Sequence, residues 1–464
     1  MMNKLKKYFK FVSIIIFLVL LFVCSWFMFD LLPSNNIEKI LQSSSLKDKK
    51  ISIKVEDILE NGVNAFLLEE HSNKIVSISF LFKNSGYAHD AEDKLGLAEL
   101  TSRILLSGSS QYSEAEFQDI LEINAINLSF GVSADDFYGT LSFPKDNMDI
   151  ALNLFTEAFY FPAIESKYLD IAKQKMITGL KVQSENPNTI LNKVFLEQIY
   201  GSHPYSRNPL GQIDNILNIT RGDIRRYLAD MLGKDNLIVG IAGDVDRKEA
   251  ENILNEMFGK LPKETISNKL PEFILTTEGK EHQVYRDIPQ TITVFAIEGV
   301  KRESSEFYPL YIANYIFGES GLNSKLSKVL REDNSLTYGI YTYLSNMNFS
   351  NLIKGKFSST TDNFDKAMGL LKQQWNEFVI NGVSAEELIE AKQSLINSFY
   401  LRFSSIDQLS SMLVGMQKYN LGIDFLDKRN EYIANVSLED VNKVIKKYFT
   451  NIPDFIMIGN FDKE

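Results

Sequence analysis

A chain of 464 residues is too long for one hydrophobic core and predicts two or three domains. Its 44% hydrophobic and 23% charged residues suit a folded body, and a formal net charge of −11 excludes nucleic acid as a partner. The single cysteine, Cys24, excludes a disulfide framework and a cysteine-based zinc site, and His71, His89, His203 and His282 are the only histidines.

Residues 1–10 carry four lysines, and Phe11 to Phe29 form 19 residues without a charge. That length suits one crossing of a bilayer, which takes about 20 apolar residues. With the lysines held on the cytoplasmic side, a transmembrane anchor over 11–29 is expected. The protein is then a single-pass protein of the cytoplasmic membrane, in contact with the lipid bilayer, its body facing the periplasm or exterior. The alternative is a cleaved signal peptide and secretion. Residues 30–50 read as a polar linker.

Beyond residue 50, "VNAFLLEEH" and "IVSISFLFKNSG" read as a hairpin of alternating strands. "HDAED", His89 to Asp93, reads as a solvated acidic loop. "LGLAELTSRILLSG", "SEAEFQDILEIN", "MDIALNLFTEAF" and "SKYLDIAKQKMITGLKVQ" have helical spacing, and "DDFYGTLSFP" and "NLIVGIAGDV" return to strand character. Prolines and charges cluster in "GKLPKETISNKLPEFILTTEGKE", from Gly259, where the linker is expected over 263–282.

The second half echoes the first. "DNMDIALNLFTEAF" from Asp146 resembles "DNFDKAMGLLKQQW" from Asp362, an offset of 216. Ala172-Lys173-Gln174 matches Ala391-Lys392-Gln393 at 219, Asp223 matches Asp440 at 217, and Gly243 matches Gly459 at 216. Four matches in one order argue for duplication. The expected fold class is α+β, with two duplicated domains, 51–262 and 283–464, each an antiparallel-rich sheet packed with helices.

On "GLAELTSRILLSGS", "YGSHPYSRNPLG", "NLIVGIAGDVD" and "IFGESGLNSKLSKVLREDNSLTYGIY", the chain resembles the pitrilysin/insulinase family of zinc peptidases, to which the mitochondrial processing peptidase subunits belong. The resemblance covers nearly all residues after about 50. Active members carry H-x-x-E-H on the first helix: two histidines one turn apart bind zinc, and the glutamate activates water. Aligned on Gly96-Leu97-Ala98, the histidine positions hold Glu99 and Arg103, and the catalytic glutamate position holds Ser102. The family's third ligand, a glutamate on a later helix, falls at Leu180, beside Thr178 and Gly179. Arginine stays protonated and cannot ligate zinc. The resemblance therefore implies no catalytic residue, no metal ligand and no cofactor in this chain. Glu99 and Arg103, four apart on a helix, are expected to pair, unless Arg103 fills the cation's place.

Active members also use an arginine and a tyrosine seven residues apart in the second half to hold substrate. Arg331 and Tyr338 match them, with Ser335 where the family has glycine. A guanidinium can fork onto a carbonyl or carboxylate, and a tyrosine hydroxyl can donate to a developing oxyanion. Local roles, Tyr338 in a strand and Arg331 pairing nearby, are the competing reading. His203 is expected to order its own loop.

The resemblance implies a non-catalytic subunit that completes a peptide-binding chamber for a homologous zinc-bearing partner in a heterodimer, here held by the membrane anchor expected over 11–29. The alternatives are a structural or peptide-binding protein without a protease role, and an active zinc peptidase with an unrecognised site.

Overall fold

The computed structural model describes residues 54–266 and 269–461, which form two mixed sheets with helices on both faces. The first half contains β1 (Glu56–Glu60), β2 (Val63–Glu69), β3 (Ile75–Phe82), α1 (Leu97–Ile104), α2 (Glu114–Ile123), β4 (Asn127–Val132) and β5 (Phe137–Pro144). It continues through α3 (Met148–Tyr160), α4 (Ser166–Gln183), α5 (Pro187–Tyr200), α6 (Ile213–Asn218), α7 (Arg221–Met231), β6 (Leu237–Gly243) and α8 (Arg247–Phe258). The second half contains β7 (Glu281–Tyr285), β8 (Gln290–Glu298), α9 (Phe307–Asn314), β9 (Ile340–Asn346), β10 (Asn351–Thr360) and α10 (Thr361–Asn381). It closes with α11 (Ala385–Phe399), α12 (Ile406–Lys418), α13 (Phe425–Ala434), α14 (Leu438–Tyr448) and β11 (Asp454–Gly459).

The sheet orders are β1-β2-β6-β3-β5-β4 and β7-β11-β8-β10-β9. Without β1, the first order is the second repeated: β2, β6, β3, β5 and β4 stand where β7, β11, β8, β10 and β9 stand. In each sheet one pair is parallel, β2 with β6 and β7 with β11, and the other pairs are antiparallel.

The hairpin expected of β2 and β3 does not form, because β6 lies between them. Every residue of "LIVGIAG" is buried, so this strand belongs at the centre of the sheet rather than beside an edge. Seven of the eight residues of β3 are buried too, because both faces are covered. Val239 and Ile241 enter the core with α3 and α8, while Ala242 faces Leu409, Leu413 and Met416 of α12.

That second covering comes from the other half. α12 lies across β2, β3 and β6, while α5 of the first half lies across β8 and β11 of the second sheet. Leu191, Phe195 and Ile199 of α5 pack on Ala296, Ile456 and Ile458. Under α12, a side chain at Gly240 would put its Cβ 2.2 Å from the Ser410 carbonyl. Glycine is therefore what lets the helix seat. The Ser410 hydroxyl also bonds Ser77 at 3.0 Å and Ser79 at 2.8 Å, and Gln417 donates to the Val239 carbonyl at 2.6 Å. Lys418 pairs with the buried Asp136 at 2.6 Å. The turns of the β4–β5 and β9–β10 hairpins also meet: the Asn348 amide donates to Asp135 at 2.9 Å, and the Phe349 amide to the Tyr205 hydroxyl at 3.1 Å.

The membrane placement expected from residues 11–29 is corrected. No helix among the described residues is long and apolar enough to cross a membrane. The longest, α10, carries Asp362, Asp365, Lys366, Lys372 and Glu377 along its 21 residues. The expected anchor itself, with segments 1–10 and 30–50, lies outside the described residues.

Because the halves share their covering helices, damage under α12 is expected to weaken both. In a Trp26→Phe background, Gly240→Ala should lower the stability reported by Trp375 fluorescence in denaturant by about 2 kcal/mol. A second half that unfolds at an unchanged midpoint contradicts this coupling.

Candidate functional site

The first helix of the motif is set by the loop before it and by a loop more than a hundred residues later. Gly96 has φ 98 and Gly211 φ 75; a Cβ on Gly211 would lie 2.1 Å from the Leu95 carbonyl. Two glycines thus press the "HPYSRNPLG" loop against the start of α1. His203 is buried, its Nε2 bonded to the Pro271 carbonyl at 2.9 Å and its Nδ1 accepting from the Tyr205 amide at 3.2 Å, so it orders that loop.

The "HDAED" segment is solvated only in part: Ala91, Glu92 and Asp93 are exposed. Asp90 is buried, and its carboxylate accepts from the amides of Gly96 at 2.9 Å and Ala98 at 3.1 Å. It holds the positive pole of α1 from outside the helix. Arg207 closes over it, donating to the carbonyls of Ala88 at 2.6 Å and Asp90 at 2.8 Å and pairing with Glu92. Burial pushes the Asp90 carboxyl up to about 7, against the pull of the two amides and Arg207.

On this helix Glu99 and Arg103 pair, Nε to Oε1 at 2.6 Å, with Glu99 largely covered and Arg103 half exposed. Ser102 is buried and turns back, its hydroxyl donating to the Glu99 carbonyl at 2.9 Å. Leu180 of α4 packs into the apolar cluster of Leu100, Ile104, Met176 and Ile177. The four places therefore hold an ion pair, a back-bonded hydroxyl and a leucine, and this donor set does not fit a zinc ion.

In the second half, Arg331 lies on the helical segment Lys328–Asp333 with an exposed side chain, and Tyr338 is 79% exposed just before β9. Neither side chain has a hydrogen bond or ion pair among the described residues. Their local setting is tightly made. The Leu336 amide donates to the Leu330 carbonyl at 2.8 Å. The Thr337 hydroxyl donates to the Ser358 carbonyl at 2.7 Å and accepts from the Gly339 amide at 3.1 Å, and the Ser359 hydroxyl donates to the Leu336 carbonyl at 2.6 Å. With Thr337 held inward, strand-like alternation turns Tyr338 outward. Ser335 has φ 55, the left-handed conformation that glycine adopts without cost. Thr337 and Ser359 escaped sequence reasoning, since nothing marks a hydroxyl as buried before the strands are paired. No hydrogen bond, ion pair or ring contact joins Arg331 or Tyr338 to Glu99, Ser102 or Arg103 among the described residues.

Two α+β halves of one strand order, with a first helix whose metal positions are filled by other chemistry, define a metallopeptidase scaffold without its ligands. Residues 65–212 match the family described as insulinase (peptidase family M16), and residues 218–395 match the peptidase M16 inactive domain. The chain belongs to this pitrilysin/insulinase family. It is 25% identical over 429 residues, 91% of its own length and 96% of the relative's, to the non-peptidase homolog YmxG of Helicobacter pylori. It is 22% identical over 412 residues, 82% of this chain and 84% of the relative, to the beta subunit of the mitochondrial-processing peptidase of Lentinula edodes. Among solved structures, a peptidase M16 inactive domain from Pseudomonas fluorescens superposes with a TM-score of 0.81 at 22% identity, covering 88% of this chain and 99% of that one.

Two outcomes follow from the helix. The half-exposed Glu99–Arg103 pair adds little, so Arg103→Ala should cost no more than about 0.5 kcal/mol in a denaturant titration. The raised Asp90 value means that, between pH 3.8 and about 7, the native state keeps a proton the unfolded chain has released. Stability then falls as pH rises through this window and levels off above it. Asp90→Asn should flatten that slope by up to about 1.4 kcal/mol per pH unit, and an unchanged slope contradicts the assignment.

Proposed function

We propose that this chain is the non-catalytic member of a pair and completes a peptide-binding chamber with a homologous subunit that carries the zinc. Arg331 and Tyr338 hold the peptide; this chain supplies no ligand and no base of its own. The observation that carries the reading is a contrast within one molecule. The zinc positions are occupied by groups already bonded to one another, Glu99 with Arg103 and Ser102 with a carbonyl, while Arg331 and Tyr338 stand exposed on a tightly bonded support. A guanidinium and a phenol without internal partners are suited to a ligand's carbonyl or carboxylate oxygens. The likeness to a non-peptidase homolog and to a chain described as one subunit of a processing peptidase supports both parts.

The chemistry asked of the two residues is modest. Arg331 orients the peptide with a forked pair of bonds, and Tyr338 donates to the carbonyl oxygen as it gains charge. Loss of one such donor costs about 10²-fold in rate.

The test is reconstitution. The chain alone should hydrolyse no peptide, and a homologous subunit with an intact H-x-x-E-H should gain activity when it is added. Arg331→Ala and Tyr338→Phe should each lower kcat/KM of the pair by about 10- to 100-fold while co-purification is retained. A pair that works equally well with both substitutions removes the proposed role of these residues.

A further inference from the structure

A second binding feature lies in the first half and uses none of the residues above. Between the end of α3, the first two turns of α7 and residues 260–262 is a cleft of about 540 Å³. Tyr160, Phe161 and Leu228 form its apolar wall, and Phe161 is 47% exposed. Three cations stand on the same cleft: Arg221, Arg225 and Lys260. Lys260 sits over the rings of Tyr160 and Phe161, at 5.5 and 5.8 Å from their centres.

What marks the cleft is that three cations share it with an aromatic wall and no close ion pair among the described residues, Lys260 being balanced only through the field of Glu256. The chain has 60 acidic residues against 49 basic ones, so carboxylates are plentiful. Several cations of this half find them: Arg207 pairs with Glu92, Arg247 with Glu56 and Glu251, Lys145 with Glu249. Arg221, Arg225 and Lys260 have no ion pair among the described residues. Glu165 also lines the cleft, yet it pairs with none of the three. Arg221 and Arg225 are one turn apart on α7, where like charges repel. Arg221 also starts the helix, where a cation opposes the helix dipole. An anion in the cleft would relieve both.

We propose that this cleft binds a small amphipathic anion, an apolar group ending in one carboxylate. Paired guanidinium forks match a carboxylate's two oxygens, and the aromatic wall accepts the apolar group. The volume lies within the range of small-ligand sites, about 300–1,000 Å³. A peptide C-terminus with a large apolar last residue and a free medium-chain fatty acid both have this chemistry.

Calorimetric titration of the full chain at low salt, with N-acetyl-Ala-Ala-Leu as free acid, with its C-terminal amide, and with decanoate, tests this. Saturable one-to-one binding is expected for at least one of the acids, weakening as salt is raised. Binding by the peptide acid identifies a peptide terminus as the source; binding by decanoate alone identifies a fatty acid. The amide should bind at least about tenfold more weakly than the peptide acid when that acid binds. Arg221→Gln with Arg225→Gln should cost about tenfold or more in affinity for whichever acid binds, with a circular dichroism melt no lower than that of the parent chain. No saturable binding of either acid below about 5 mM, a peptide amide that binds as well as its acid, or an unaffected double variant overturns the proposal.

Discussion

Each sheet has two apolar faces, and its own half covers only one of them. The second face of the first sheet is closed by α12 and that of the second sheet by α5, so each core is completed by the other half. A sheet with one bare apolar face is poorly stable in water. The exchange of helices therefore binds the halves into one body. The residues at the crossing fit that demand: Gly240 for close approach, Ser77, Ser79 and Ser410 bonded to one another, and Lys418 paired with buried Asp136. Breaking one partner of such a buried pair costs several kcal/mol, which ties the hairpin turn of the first half to the last turn of α12.

This body keeps its motif helix in place with little help from the residues that changed. Asp90, Gly96, Arg207 and Gly211 fix the start of α1 through backbone amides and carbonyls, whatever occupies positions 99, 102 and 103. The frame and the chemistry are thus separable. The Glu99–Arg103 pair itself adds only about 0.2–0.5 kcal/mol to the helix. The arginine–tyrosine segment is held in the same way, by Thr337 and Ser359 rather than by Arg331 and Tyr338 themselves.

The parts legible in the sequence were those with local periodicity. Helical spacing marked α1 to α4, four aligned matches exposed the duplication, and the four-residue interval of Glu99 and Arg103 was enough to foresee their bond. What escaped depended on distant chain. "HDAED" has the composition of a wet loop, and only the return of residues 203–211 buries Asp90. β2 and β3 look like neighbours because they are sequential; β6, some 150 residues later, takes the place between them because it is apolar on both faces. The helix exchange could not be read from amphipathic patterns, which give a helix an apolar side but do not say whose sheet it meets.

The metal positions of this fold hold an ion pair, a back-bonded hydroxyl and a leucine, a set that does not fit zinc. The most direct measurement is the metal content of the purified chain after equilibration with zinc and dialysis. Far less than one zinc per chain is expected, unchanged in Glu99→Ala and Arg103→Ala. One tightly held zinc per chain, lost on either substitution, would contradict it.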